Sequence, residues 1–180
     1  IPEGLFRSVL LDAARVAELI EHPLVKAVTL TGSTPAGKAV AAKAGAMLKK
    51  TVLELGGSDP YLILEDADLD ATAEACVASR LMNSGQSCIA AKRFLVVESV
   101  RTPFETRCVQ RMQASRMGDP LQESTTVGPL ARRDLRDALH DQVTRSVAQG
   151  ARLLLGGKIP DRPGAYYPPT VLTDVAKGMP

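Results

Sequence analysis

Cys88 sits in the segment NSGQSCIAAKR, directly after an amphipathic stretch and close to Gly85. A thiol on a tight turn can open onto a cleft, where flanking backbone N–H groups stabilise a thiolate and an oxyanion. Free cysteines are more often small buried hydrophobes, and Cys76, on an Ala-rich helix, and Cys108 read that way. The polar neighbours Asn83, Ser84, Gln86 and Ser87 set Cys88 apart. Glu54 lies in the apolar run TVLEL, just before Gly56-Gly57. A carboxylate inside such a strand is expensive unless paired or protonated, which makes Glu54 a candidate general base. Two plainer readings stand beside it: an edge position facing solvent, and an ion pair with a neighbour such as Lys50. His22 and His140 are remote from Cys88 in sequence, so nothing local supports a Cys–His pair.

A third feature is VTLTGSTPAGKAV, which reads as strand, Gly turn and helix. Such a turn aims backbone N–H groups and the positive helix end at an anion. Gly32, Gly37 and Lys38 nearly spell a Walker A loop, with the run from Leu62 to Asp66 as a matching acidic strand end. That loop needs Ser or Thr after the Lys to bind Mg²⁺; Ala39 is there instead, and Pro35 removes an N–H. The alternative is a dinucleotide turn in which Gly32 and Ser33 approach a pyrophosphate, although the spacing G-x-G-x-x-G is absent. A plain strand-to-helix turn with Gly for backbone freedom carries equal weight.

These residues need a scaffold, and the composition supplies one. Of 180 residues, 45% are hydrophobic and 23% charged. The 22 Lys and Arg against 20 Asp and Glu leave a formal charge of +2, mixed along the chain. That balance excludes disorder and offers no basic stripe for nucleic acid. No run approaches the roughly 18 apolar residues of a membrane span. No secretory signal is visible. Three cysteines without metal-ligand spacing argue against a disulfide scaffold or a zinc site, so no metal is expected and a cytoplasmic setting is. The chain lacks an initiator Met and stops soon after a strand pattern, the expected look of an internal piece.

Apolar runs alternating with amphipathic stretches predict an α/β chain. Strands are expected at Leu5–Leu11, Val25–Leu30, Thr51–Leu55, Tyr61–Leu64, Arg93–Val97, Arg152–Leu155 and Tyr166–Leu172. Helices are expected at Asp12–His22, Thr34–Met47, Asp70–Met82, Thr102–Arg116 and Ala131–Gln149. Asp12 is a candidate cap, Pro35 suits a first turn, and Thr102-Pro103 with Glu105 has capping-box spacing.

Together, TGSTPAG, LELGGSDP, NSGQSC, MGDP, GPL and YYPPTVL, in that order, resemble the aldehyde dehydrogenase superfamily across essentially the whole chain. Within it, GQSCIAAKRF and GARLLLGG most resemble bacterial succinate-semialdehyde dehydrogenases that use NAD or NADP. The resemblance implies a partial Rossmann-type cofactor domain over residues 1–55, followed by most of an α/β catalytic domain over 56–180. It implies Cys88 as nucleophile, Glu54 as base, and Gly32, Ser33, Leu55 and Gly56 as cofactor-binding positions. It also implies a small aldehyde substrate, a homo-oligomer when intact, and missing flanking parts, including an Asn that completes the oxyanion hole. Many succinate-semialdehyde enzymes carry an Arg six residues before the nucleophile to hold the substrate carboxylate. Met82 occupies that place here.

Overall fold

The computed structural model describes residues 2–180, which form two compact units, one up to Gly57 and one from Ser58. The first unit contains helix α1 (Val16–Glu21), strand β1 (Ala27–Thr31), helix α2 (Thr34–Ala46) and strand β2 (Lys50–Glu54). Asp12 accepts from the Ala14 N–H at 3.2 Å and caps a 3₁₀ turn, Ala13–Arg15, that leads into α1. β1 and β2 pair in parallel from Ala27↔Lys50 to Thr31↔Glu54, so β1, α2 and β2 make a strand–helix–strand unit. Ion pairing of Lys43 with Glu21 ties α2 to α1. Lys49 donates to the backbone carbonyls of Ile20 and His22, satisfying acceptors that the end of α1 leaves open.

The expected strand at Leu5–Leu11 does not form. Leu5, Phe6, Val9 and Leu10 are exposed, Phe6 by 80%. A strand needs a partner ladder, and none pairs with this segment among the described residues.

The second unit contains β3 (Pro60–Ile63), α3 (Leu69–Leu81), β4 (Arg93–Val96), α4 (Glu98–Gln113), α5 (Arg133–Ala148), β5 (Arg152–Leu155) and β6 (Val171–Thr173). β3 and β4 run parallel, with Tyr61 opposite Phe94 and Ile63 opposite Val96. Alternation along each strand sends Tyr61, Ile63, Phe94 and Val96 toward α3 and α4, where they meet Ala73, Cys76, Val77, Phe104, Cys108 and Met112. The aromatic rings stack edge to face, Tyr61 on Phe94 at 6.1 Å and Phe94 on Phe104 at 5.8 Å. Asp68 caps α3 by accepting from the Asp70 and Ala71 N–H groups.

Two expectations are corrected in this unit. α4 begins at Glu98, so Thr102 is no cap and Pro103 lies inside the helix. Pro103 lacks the N–H that would reach the Ser99 carbonyl. The helix tolerates this near its start because Phe104, Cys108 and Met112 bury one face in the core. Glu105 accepts from the Thr173 hydroxyl and pairs with Arg101 at 3.5 Å, joining α4 to β6 rather than closing a capping box. The strand expected over Tyr166–Leu172 shrinks to β6, because Pro168 and Pro169 cannot donate to a ladder.

Phe104 is 2% exposed at the centre of this core. Replacing it with Ala should destabilise the protein by about 3–5 kcal/mol, mostly as a cavity term. Urea titration of the full-length protein checks this; a loss below about 1 kcal/mol contradicts the packing described.

Candidate active site

The turn that carries Cys88 is built from the end of α3. Asn83, Ser84 and Gly85 follow with φ of 50°, 55° and 79°, three successive left-handed residues. Asn adopts this region readily and Gly without penalty, but Ser does not. Ser84 is also the most firmly held of the three: its hydroxyl donates to the Gly128 carbonyl at 3.2 Å and accepts from the Gly128 N–H at 3.0 Å. Gln86 donates to the Asn83 carbonyl at 3.2 Å and accepts from the Ala131 N–H at 2.8 Å. A further turn follows, closed by the Ala90 N–H on the Ser87 carbonyl at 3.2 Å, with Cys88 and Ile89 at its corners. Cys88 is exposed, and neither its N–H nor that of Ile89 is hydrogen-bonded among the described residues. The thiol thus stands beside two available donors, the arrangement that an oxyanion requires.

The sequence landmarks downstream of Cys88 support this turn. Met117, of MGDP, bridges Val127, and the Gly118 N–H donates to the Val127 carbonyl at 3.1 Å. Gly128 grips Ser84, and Ala131 grips Gln86. The Leu130 N–H donates to the Ala165 carbonyl at 2.9 Å, two residues before Tyr167, whose hydroxyl meets His140 Nδ1 at 3.1 Å. In the sequence, Ser84 and Gln86 are only polar neighbours of Cys88. Their partners lie more than 40 residues away, and no local pattern reveals them.

In the first unit, Glu54, Gly32 and Ser33 come together at the C-terminal ends of parallel strands, where α/β sheets bind ligands. The Gly32 N–H donates to the Glu54 carbonyl at 2.9 Å. Gly32 is therefore no donor to a ligand. Ser33 caps α2 by accepting from the Ala36 N–H at 3.4 Å, and the Gly37 N–H donates to the Ser33 carbonyl. The N–H groups of Ser33 and Thr34 remain unbonded among the described residues. Leu55 packs its side chain on Gly37, where an added Cβ would lie 2.7 Å from Leu55 Cδ2. Gly56 has open space around it. The Glu54 side chain is exposed, with no ion pair among the described residues; its edge strand faces solvent, and Lys50 is not its partner. Cys88 belongs to the other unit.

Met82 is 58% exposed and lines a groove of about 550 Å³ together with Glu74, Leu81, Asn83, Arg111 and Thr126. Arg111 pairs there with Glu74 at 3.5 Å and donates to the Asp70 carbonyl at 3.1 Å. No helix among the described residues is long and apolar enough to cross a membrane.

The family model for aldehyde dehydrogenases matches residues 1–180. The chain belongs to the aldehyde dehydrogenase family. It is 51% identical over 179 residues to the Escherichia coli succinate semialdehyde dehydrogenase [NAD(P)+] Sad, covering 99% of this chain and 39% of that protein. It is similar to the crystal structure of succinic semialdehyde dehydrogenase from Streptococcus pyogenes in complex with NADP+, with a TM-score of 0.90, 36% identity, and coverage of 94% of this chain and 37% of that one. It is similar also to lactaldehyde dehydrogenase from Escherichia coli, with a TM-score of 0.88, 39% identity, and coverage of 91% and 35%. The chain thus spans about two fifths of the length of the relatives it matches, and its α/β fold is that of the aldehyde dehydrogenases.

The three thiols differ in a way that can be measured. Burial raises the Cys76 thiol above its usual 9.0, and burial, with Cys76 adding to it, pushes Cys108 up to about 12. The neutral Cys108 thiol favours the folded state fully below pH 9.0, and that contribution is lost as pH rises toward about 12. Of these three thiols, iodoacetamide at neutral pH should label Cys88 first in the full-length protein, with Cys76 and Cys108 labelled only after denaturation. Peptide mass spectrometry reads the order, and native labelling of Cys108 before Cys88 would overturn it.

Proposed function

We propose that the full-length protein oxidises an aldehyde to its carboxylic acid with NAD or NADP, that Cys88 is the nucleophile and Glu54 the general base, and that succinate semialdehyde is the substrate. The observation that carries this reading is the exposed Cys88 thiol on a clamped turn beside two unbonded N–H groups. Succinate semialdehyde as substrate rests on likeness to the succinate-semialdehyde dehydrogenases.

The chemistry follows from the residue types. The Cys88 thiolate attacks the aldehyde carbon, forming a C–S bond and a thiohemiacetal oxyanion. The Cys88 N–H holds that oxyanion. When bound, NAD(P)+ supplies the acceptor for the hydride lost as the oxyanion collapses to a thioester. Glu54 then takes a proton from water, which hydrolyses the thioester and frees the acid and the thiol. A thiolate suits both halves, since it attacks well and leaves well.

The cofactor fits the first unit. The N–H groups of Ser33 and Thr34 at the start of the 13-residue α2 suit a pyrophosphate. Open space at Gly56 leaves room for a ring beside the strand end. These features support residues 1–55 as part of the cofactor domain and 56–180 as catalytic, and the compact units part nearby, at Gly57.

Reduced-cofactor absorbance with succinate semialdehyde, using NAD and NADP in turn, tests the reading in the full-length protein. Cys88→Ala should abolish turnover while cofactor binding persists; near-normal turnover in that variant ends the assignment. Glu54→Gln should leave the first burst of reduced cofactor intact and slow steady-state turnover on the order of a hundredfold, the scale of a lost general base. An unchanged steady-state rate removes Glu54 from the role.

A further inference from the structure

Arg80, in the last turn of α3, makes an unusual set of contacts. Its guanidinium donates to the Gly85 carbonyl, before Cys88, and to the Ala91 carbonyl at 3.2 Å, after it. One side chain therefore spans both ends of the segment that carries the nucleophile. Among the described residues it has no carboxylate partner, although it is half-buried. Burial lowers its basicity relative to an exposed guanidinium. A charge held this way without a counter-ion is expensive unless its donors are filled by well-placed acceptors. A residue needed only for solubility or for the helix dipole would sit in water.

The surroundings are shaped to the guanidinium. A Cβ on Gly85 would run into Arg80 Nη2 and lie 3.1 Å from the Arg80 carbonyl. Gly85 suits its φ of 79° and leaves the space that the Arg80 guanidinium fills. The Ala91 backbone is held a second time, its N–H donating to Ser79 Oγ at 3.1 Å, and Ser79 Oγ also meets the Tyr61 hydroxyl at 3.1 Å. Ala90 and Ala91 are buried while Cys88 and Ile89 are exposed. The segment is pinned at its feet and open at its crest.

We infer that Arg80 is a positioning residue that fixes the orientation of Cys88 and its N–H by bridging the Gly85 and Ala91 carbonyls across the nucleophile loop. This rests on Cys88 being the nucleophile. Neutral donors could each hold one carbonyl, but the planar guanidinium offers several N–H groups in fixed directions and holds both at once. Lys, with one nitrogen, reaches only one of them well. The expected consequence is kinetic: with Arg80 replaced, aldehyde and cofactor still bind, while the attacking sulfur and the oxyanion donor lose register.

The test uses the full-length protein with Arg80→Met, Arg80→Lys and, in parallel, Cys88→Ala. Arg80→Met should lower kcat by about tenfold or more, the scale of a small misplacement of reacting groups. Cofactor KM should stay within about twofold, because nothing in the cofactor turn has been touched. Arg80→Lys should recover part of the kcat, and the pre-steady-state burst of reduced cofactor should slow in the same order: Arg, then Lys, then Met. Wild-type kcat and burst rate in a folded Arg80→Met would overturn the inference. So would a fall in kcat that tracks only a loss of folded protein by circular dichroism, with the remaining folded fraction fully active. If Arg80→Met does not fold, Arg80→Lys decides: an unchanged burst rate refutes the positioning role, and a slowed burst with unchanged cofactor KM supports it. If instead Cys88→Ala retains turnover, the nucleophile reading fails whatever the Arg80 variants do.

Discussion

The left-handed turn between α3 and Cys88 is the constraint on which the second unit depends. α3 ends at Leu81, Met82 turns extended, and the three residues of positive φ that follow keep the helix from resuming. Residues held in such regions cost of order 1–3 kcal/mol each unless their chemistry suits them. Asn83 and Gly85 suit it; Ser84 does not. The structure offsets Ser84 with two hydrogen bonds to Gly128 and steadies the next residues through Gln86 and Arg80. Hydrogen bonds contribute about 0.5–1.5 kcal/mol each, and those from a charged donor about 1.5–3. That is enough to offset one unfavourable residue. The return is geometric: two N–H groups are left without internal partners next to an exposed thiol.

The first unit shows the opposite use of the backbone. There the Gly32 N–H is consumed by the Glu54 carbonyl, locking the turn after β1 to the end of β2. The donors that remain belong to Ser33 and Thr34, one step further along. Gly37 extends this logic, since its missing side chain lets Leu55 lie against α2 just beyond Glu54. The spacing from Gly32 to Gly37, which first suggests a phosphate loop, is therefore shared between exposure at one Gly and packing at the other.

The elements leave local marks in the sequence, and so do the candidate residues Cys88 and Glu54. Hydrophobic periodicity gave α2, α3, α5 and the parallel strands within one to three residues. Polar flanks separated Cys88 from the buried Cys76 and Cys108. Local pattern fails where the deciding contact is remote. Leu5–Leu11 has a strand's composition but no ladder to join. Thr102-Pro103-x-Glu105 has a cap's spacing, yet the buried face of α4 starts the helix earlier and commits Glu105 to Thr173. The same limit hid Arg80. A basic residue in a last helical turn reads as a favourable dipole contact, and only the fold reveals the two carbonyls waiting for it.

Mechanism and specificity are separable in this chain. On the proposed reading, the turn that presents Cys88 uses backbone donors and would act on any aldehyde carbon that reaches it. Selection of one aldehyde depends on the walls, and there Met82 matters. A site that must bind a carboxylate gains most from a cation, since a charged partner discriminates far more strongly than an apolar contact. Met82 supplies none, and Arg111, the cation in the groove beside it, already holds Glu74 and the Asp70 carbonyl. A carboxylate binding there would have to displace Glu74 and accept its nearby negative charge. On the proposed reading, with Met82 beside the substrate, a carboxylate would need a cation from outside this groove.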